Sequence, residues 1–205
     1  GAISQIDNGK LNKVQDLTPV LEKIALQAQR AAGIVKRLRS LVKKTPYQRQ
    51  EFLLNPVCLD VVDFIRHELR KAGVNVVCRL ADEELMLEAD RIQLEQVLIN
   101  LLRNALDAHE GLDADHPPIE MITSGDAENV FIEVLDYGKG MEPDYLEELF
   151  KPYVTSKPQG LGMGLSITRT IVETHGGAID VESRVATPEK SGFTRFSIRL
   201  PKQGK

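Results

Sequence analysis

The sequence predicts an α+β fold: a two-layer α/β sandwich, in which helices cover one face of a mixed sheet, preceded by an α-helical hairpin that dimerises into a four-helix bundle. Three observations carry this expectation. Beyond about residue 52, β-rich and helical segments intermingle without strict βαβ alternation. Before that point Leu17, Leu21, Ile24, Ala28, Ala31, Val35, Leu38 and Val42 form a heptad seam, about three and a half repeats long, which needs partner helices to be stable. Finally, Asp90 to Glu110 (DRIQLEQVLINLLRNALDAHE) has no Pro or Gly and is rich in good helix formers.

The elements follow in order. Gly1 to Gln15 is a weak helical pattern with Ile3, Ile6 and Val14, interrupted by Gly9. Thr18–Pro19 starts a second helix, with Thr as N-cap and Pro at the first helical position, and Thr45–Pro46 ends it. Residues 1–46 are thus assigned to the hairpin, 47–52 to a connector and 53–203 to a second domain. Arg30, Lys36, Arg37, Arg39, Lys43 and Lys44 are most simply a solvated face; docking of an acidic partner is the sharper alternative. In the second domain Cys58 to Lys71 is expected to be helical and stopped by Gly73, with strands at Val74–Leu80 and Leu85–Glu88. After the long helix come strands at Ile119–Thr123 and Val130–Leu135, and a short acidic helix at Pro143–Phe150. A helix at Gly164–His175 follows, closed by Gly176–Gly177, then strands at Ala178–Ser183 and Phe193–Leu200.

Composition narrows the class. At 205 residues the chain can hold one ordinary core with a helical appendage. Hydrophobic and charged contents of 42% and 27% fit a soluble globular protein, and a net charge of −4 gives no reason to expect nucleic-acid binding. Cys58 and Cys78 lack metal-ligand spacing and are expected to be reduced, near the core of a cytoplasmic domain. No apolar run approaches the ~20 residues of a membrane span, so no membrane contact is expected in this stretch. The abrupt start at GAISQ is expected to mark a fragment of a longer protein, itself open to membrane anchoring.

Three patches carry chemistry. The long helix buries Leu94, Leu98, Leu101, Ala105 and Ala108 on one face, but its other side carries Gln93, Gln96, Asn100, Asn104 and Asp107. Asn is a mediocre helix former, so two of them one turn apart, with a carboxylate three residues on, point to a ligand as readily as to a plain surface. The strand Val130–Leu135 runs into Asp136-Tyr-Gly138-Lys-Gly140-Met141. A strand-end carboxylate followed by two glycines permits close approach of a flat ligand with an exocyclic amine, although Asp-x-Gly is also a common turn. Gln159-Gly160-Leu161-Gly162-Met163-Gly164-Leu165 opens directly into a helix, where unpaired N–H groups suit a phosphate, with Lys157 as a nearby cation. The pattern is neither a Walker A loop nor the dinucleotide fingerprint.

Taken in order, the amide helix, DxGxG, the stretch Leu149-Phe150-Lys-Pro-Tyr153-Val-Thr-Ser-Lys157 and GLGMGL resemble the catalytic ATP-binding domain of sensor histidine kinases. That domain belongs to the wider group shared with gyrase B, Hsp90 and MutL. The resemblance covers roughly Phe52 to Lys202 and is nearest the nitrogen-regulation and oxygen-sensing subgroup. It implies the Bergerat ATP-binding fold, ATP or ADP with Mg²⁺ as ligands, a homodimer through the N-terminal helices, and a response regulator receiver domain as partner.

Residue by residue, the resemblance makes Asn104 the Mg²⁺ ligand, with Asn100 supporting the phosphates. Asp136 would bind the adenine amine, with Gly138, Gly140 and Met141 shaping the pocket. Thr194 would join the adenine site through water. Phe150 and Tyr153 shape the ATP lid. Gly160, Gly162 and Gly164, with Leu161, Met163 and Leu165 among them, would hold the phosphates, and Lys157 would balance their charge. Arg103 and Asp107 flank the site in roles left open.

The implied activity is transfer of the γ-phosphoryl of ATP to a His and then to an Asp of the response regulator. The stretch departs from the family in one respect: residues 1–17 contain no His, so the acceptor is expected upstream of Gly1 and this fragment is expected to bind nucleotide without phosphorylating itself. Phe64-Ile-Arg-His67-Glu68-Leu imitates an acceptor box but lacks its Pro, and His67 is expected to be an ordinary helix residue. His109, His116 and His175 are expected to be structural. Two rivals stay open: a non-catalytic dimeric ATP-binding scaffold, and an ATPase of the gyrase or MutL type. The latter needs a carboxylate one turn before the metal-binding Asn, where this chain has Asn100, which cannot act as a base.

Overall fold

The computed structural model describes residues 48–112, 116–155, 162–187 and 190–203. The expected hairpin of residues 1–46 lies outside them, as do Lys157, Gly160 and Leu161. The described elements are β1 (Gln50–Leu53), α1 (Leu54–Phe64), α2 (Arg66–Ala72), β2 (Val76–Arg79), β3 (Met86–Ala89), α3 (Arg91–Ala108), β4 (Ile119–Gly125), β5 (Asn129–Asp136), α4 (Pro143–Glu148), α5 (Gly164–Thr174), β6 (Ala178–Arg184) and β7 (Phe193–Pro201). No described helix is long and apolar enough to cross a membrane.

The main sheet has the order β2-β4-β5-β7-β6. β2 runs parallel to β4, and every other pairing is antiparallel, so the sheet is mixed, as expected. Side chains alternate across it with the period of two that a pleated strand imposes. Ile119, Met121, Val130, Ile132, Val134, Phe196, Ile198 and Leu200 are buried under the helices. Their sequence neighbours carry charge on the opposite face, where Arg195 pairs with Glu182 at 3.3 Å and Glu133 at 3.8 Å, and Arg79 with Glu120. One apolar face and one charged face make a two-layer sandwich.

α3 is the central helix of the apolar layer. It packs against α1 on one flank and α5 on the other, which is why Val97 and Leu102 are buried along with Leu94, Leu98, Leu101 and Ala105. Asp90 caps it, accepting the Gln93 N–H at 3.1 Å. His175 at the end of α5 ties the same corner: its Nε2 accepts the Asp90 N–H at 3.0 Å, and its Nδ1–H donates to Ile171 O at 2.8 Å.

Two boundary expectations are corrected. The connector expected over 47–52 is strand from Gln50, because β1 pairs antiparallel with β3 from Gln50↔Ala89 to Leu53↔Met86. The single helix expected over Cys58–Lys71 starts earlier and is two helices, α1 and α2, which meet at Ile65 (φ −93°, ψ 5°). The break keeps Ile65 fully buried while Leu69 of α2 also reaches the core. His67 is an exposed residue of α2. Both free cysteines lie between the layers, and burial pushes the Cys58 thiol up to about 12.

Candidate functional site

Three segments converge at one end of α3: its own C-terminal half, the loop that follows β5, and the start of α5. The β5 loop is held by backbone contacts. Lys139 N–H donates to Ala108 O at 3.2 Å, and a Cβ on Gly138 would lie 2.6 Å from the Ala108 Cβ. Ala108 therefore serves two purposes: it ends the apolar stripe of α3 and leaves room for the loop. Gly140 has φ +71°, and a Cβ there would stand 1.9 Å from Arg184 O. No side chain fits, and the left-handed backbone disfavours one as well.

Asp136 ends β5 and is only 3% exposed. Its Oδ1 accepts the Gly138 N–H at 2.9 Å. Burial pushes its carboxyl up to about 7, only partly offset by that hydrogen bond. Across the ladder it is paired with Thr194 of β7, also buried. Ser183 of β6 organises this corner. Its hydroxyl donates to Phe193 O at 2.7 Å and accepts the Met141 N–H at 2.9 Å. The 3.0 Å contact between the Ser183 and Thr194 hydroxyls is then donated by Thr194, which leaves the Thr194 oxygen able to accept.

On α3, Asn100 and Asn104 are both half-buried one turn apart. Asn100 Nδ2 donates to Thr168 Oγ1 on α5 at 3.0 Å, and a Cβ on Gly164 would lie 2.5 Å from Asn100 Oδ1. The amide helix and the mouth of α5 thus touch directly. Asp107 is exposed at the next turn. Arg103 points elsewhere: its guanidinium forks onto Glu68 of α2 at 3.0 and 2.6 Å. It lies ~100° around the helix from Asn104.

The α5 end completes the frame. Met163 is its N-cap residue and has no side-chain oxygen to satisfy the first-turn N–H groups. Leu165 is half-buried against the core. Tyr153 N–H donates to Gly162 O at 2.9 Å, and both residues have left-handed backbones, with φ of 68° and 63°. Tyr153 is exposed, whereas the half-buried Phe150 carries the Arg169 guanidinium 4.9 Å above its ring. Lys157, Gly160 and Leu161 belong to the same stretch of sequence but lie outside the described residues.

Sequence reasoning missed Ser183, Thr168 and Gly192. A Cβ on Gly192 would lie 2.5 Å from Gly138 O, so that glycine seats the β5 loop from the far side. A hydroxyl or glycine in a generic strand or loop gives no local signal of such a task.

A backbone built for close approach, a buried strand-end carboxylate and an uncapped helix N-terminus lie together here, and the family model for histidine kinase-, DNA gyrase B- and HSP90-like ATPases matches residues 89–204. The chain belongs to that family. Within it, the relatives are sensor histidine kinases. The C4-dicarboxylate transport sensor protein DctS of Rhodobacter capsulatus is 32% identical over 98% of this chain and 30% of its own length. Sensor histidine kinase ZraS of Escherichia coli O157:H7 is 36% identical over 87% of this chain and 37% of its own. The chain spans about a third of the length of these curated relatives. Among solved structures, the catalytic domain of histidine kinase ThkA aligns with a TM-score of 0.64 and 31% identity, covering 76% of this chain and 96% of that one. ThkA in complex with the response regulator protein TrrA aligns with a TM-score of 0.75 and 27% identity, covering 99% and 56%. The described domain is a histidine kinase-type ATP-binding catalytic domain.

Proposed function

We propose that this chain is the ATP-binding part of a two-component sensor histidine kinase, which supplies the γ-phosphoryl of Mg-ATP to a His and thence to an Asp of a response regulator. The observation that carries the reading is Asp136: a carboxylate buried at a strand end, with one backbone N–H on it and the acceptor oxygen of Thr194 beside it. Such a group suits the exocyclic amine of adenine, with Gly140 leaving the ring face clear. Asn104 would offer its amide oxygen to Mg²⁺, a hard cation that prefers oxygen ligands and keeps water and phosphate in its other positions. When bound, the ion would neutralise charge on the phosphates. The uncapped N-terminus of α5, with Gly162 and Gly164 and, beyond the described residues, Gly160, Leu161 and Lys157, would receive those phosphates. The chain's contribution to transfer is therefore positioning and electrostatics rather than covalent chemistry.

Transfer is favoured over hydrolysis at this site. A hydrolase of the family would place a base one turn before Asn104, but Asn100 stands there and its amide cannot take a proton. Docking of a receiver domain belongs to the same proposal and draws support from the likeness to ThkA in complex with TrrA; homodimerisation through residues 1–46 is proposed with it. The test is nucleotide affinity: Asp136→Ala should weaken ADP binding by roughly 10- to 150-fold by titration calorimetry, since a buried hydrogen bond to a charged group contributes ~1.5–3 kcal/mol. Unchanged affinity would remove adenine from this pocket.

A further inference from the structure

Thr168 sits in the middle of α5, 1% exposed. Its hydroxyl neighbours on that helix bond back to their own helix, Thr170 to Ser166 O at 2.9 Å and Thr174 to Thr170 O at 2.7 Å, as mid-helix hydroxyls commonly do. Thr168 meets another element: its Oγ1 accepts the Asn100 Nδ2 hydrogen at 3.0 Å. The other end of the same amide lies against the mouth of α5, with Asn100 Oδ1 2.5 Å from where a Gly164 Cβ would stand.

An Asn amide has a donor end and an acceptor end. With one Nδ2 hydrogen held by Thr168, the amide plane is set so that Oδ1 is the Asn100 atom nearest Gly164 at the mouth of α5. An acceptor is repelled by bare phosphate oxygens but welcomes a cation or a water bound to one. We propose that Thr168 is a positioning residue: it engages Asn100 Nδ2 and thereby turns Asn100 Oδ1 toward the Mg²⁺ ion and waters that accompany the nucleotide phosphates. This rests on the Mg-nucleotide reading above and refines it, moving Asn100 from a phosphate contact to a metal-side acceptor. It also explains why α5 begins with glycine, since a methyl at 164 would displace that oxygen.

The experiment is titration calorimetry on the full 205-residue chain with three probes: adenosine, ADP with a chelator, and ADP with Mg²⁺. For Thr168→Val, which keeps the shape and removes the hydroxyl, Mg-ADP should weaken about tenfold, the scale of one lost hydrogen bond. Adenosine and metal-free ADP should stay within about twofold, and Thr168→Ser should restore Mg-ADP affinity. Thr168→Ala removes the same hydroxyl with less bulk and should show the same metal-specific loss, which keeps the test intact if Thr168→Val fails to fold. The proposal is overturned if the folded variants retain the full Mg²⁺ enhancement, or if adenosine and Mg-ADP weaken equally, as a packing defect alone would cause. A wild-type chain that binds ADP no better with Mg²⁺ would instead sink the metal reading as a whole, and the role of Thr168 with it.

Discussion

Asp136 is placed at a cost to the ligand-free domain. Its carboxyl moves from an ordinary 3.8 to about 7, with burial the larger cause and the Gly138 N–H opposing it. A group whose folded pKa is raised imposes no penalty below its unfolded value and the full penalty once pH has passed the folded value. Ionised Asp136 therefore costs up to ~4 kcal/mol above pH 7, while the protonated form costs nothing near pH 4. Asp136→Asn removes the charge and keeps an acceptor for Gly138. Its melting temperature should exceed wild type by several degrees at pH 8, and the two melting curves should converge toward pH 4. Parallel behaviour from pH 4 to 8 would mean that the carboxylate is solvated after all. Asp136 stood out in the sequence only in company, because Asp-x-Gly alone is as readily a turn and it was the amide helix and GLGMGL on either side that singled it out. Ser183 and Thr168 did not stand out: a hydroxyl carries no local mark of its partner, and Ser183 finds Met141 only when two distant strands close.

At the scale of elements, α3 declared itself through composition. Its amide stripe and leucine face are both where periodicity put them, and the burial of Val97 and Leu102 records a second covered flank that no helical wheel can show. The break at Ile65 and the strand at Gln50 escaped notice for one reason. Neither has a Pro, Gly or turn signal, and each is set by distant packing: Ile65 by the core beneath it, β1 by a partner strand 33 or more residues away. The corner joining α3 to α5 carries its own pH dependence. Burial is the main cause that lowers the His175 pKa below its ordinary 6.5, with Ile171 O and Asp90 opposing and Arg49 assisting. Neutral Nε2 accepts the Asp90 N–H; protonated, it would confront one donor with another. A lowered folded pKa contributes stability that is complete above the unfolded value of 6.5 and is lost as pH falls through the folded one. Chemical denaturation should show stability falling between pH 7 and 5 by at most ~2 kcal/mol, the ceiling one proton sets over that interval. That slope should flatten in His175→Gln, whose amide oxygen can still accept. An equally steep slope in the variant would assign the acid sensitivity to other groups.

For the domain of residues 48–203 as a whole, the donor set decides the order in which ligands bind. No group of three His, Cys, Asp or Glu among the described residues is arranged to hold a metal ion, and the proposed Asn ligands are neutral. Neutral amides alone compete poorly with water for Mg²⁺, which dehydrates reluctantly. The ion should therefore arrive with the phosphates rather than before them. Thermal melting can separate the two cases, because a ligand that binds only the folded state adds RT ln(1 + [L]/Kd), ~2.7 kcal/mol at a hundredfold excess over Kd. For a chain of this size that corresponds to a rise of about 5–10 °C. Mg²⁺ alone should leave the melting temperature within about a degree. ADP alone should raise it, and Mg²⁺ should add a further increment in the presence of ADP. Asn104→Ala should retain the shift from ADP alone and lose that added increment. A rise of several degrees from Mg²⁺ without nucleotide would reveal a preformed metal site and reverse the binding order. An undiminished increment in Asn104→Ala would show that the ion is held without that side chain, and the amide stripe of α3 would then need another explanation.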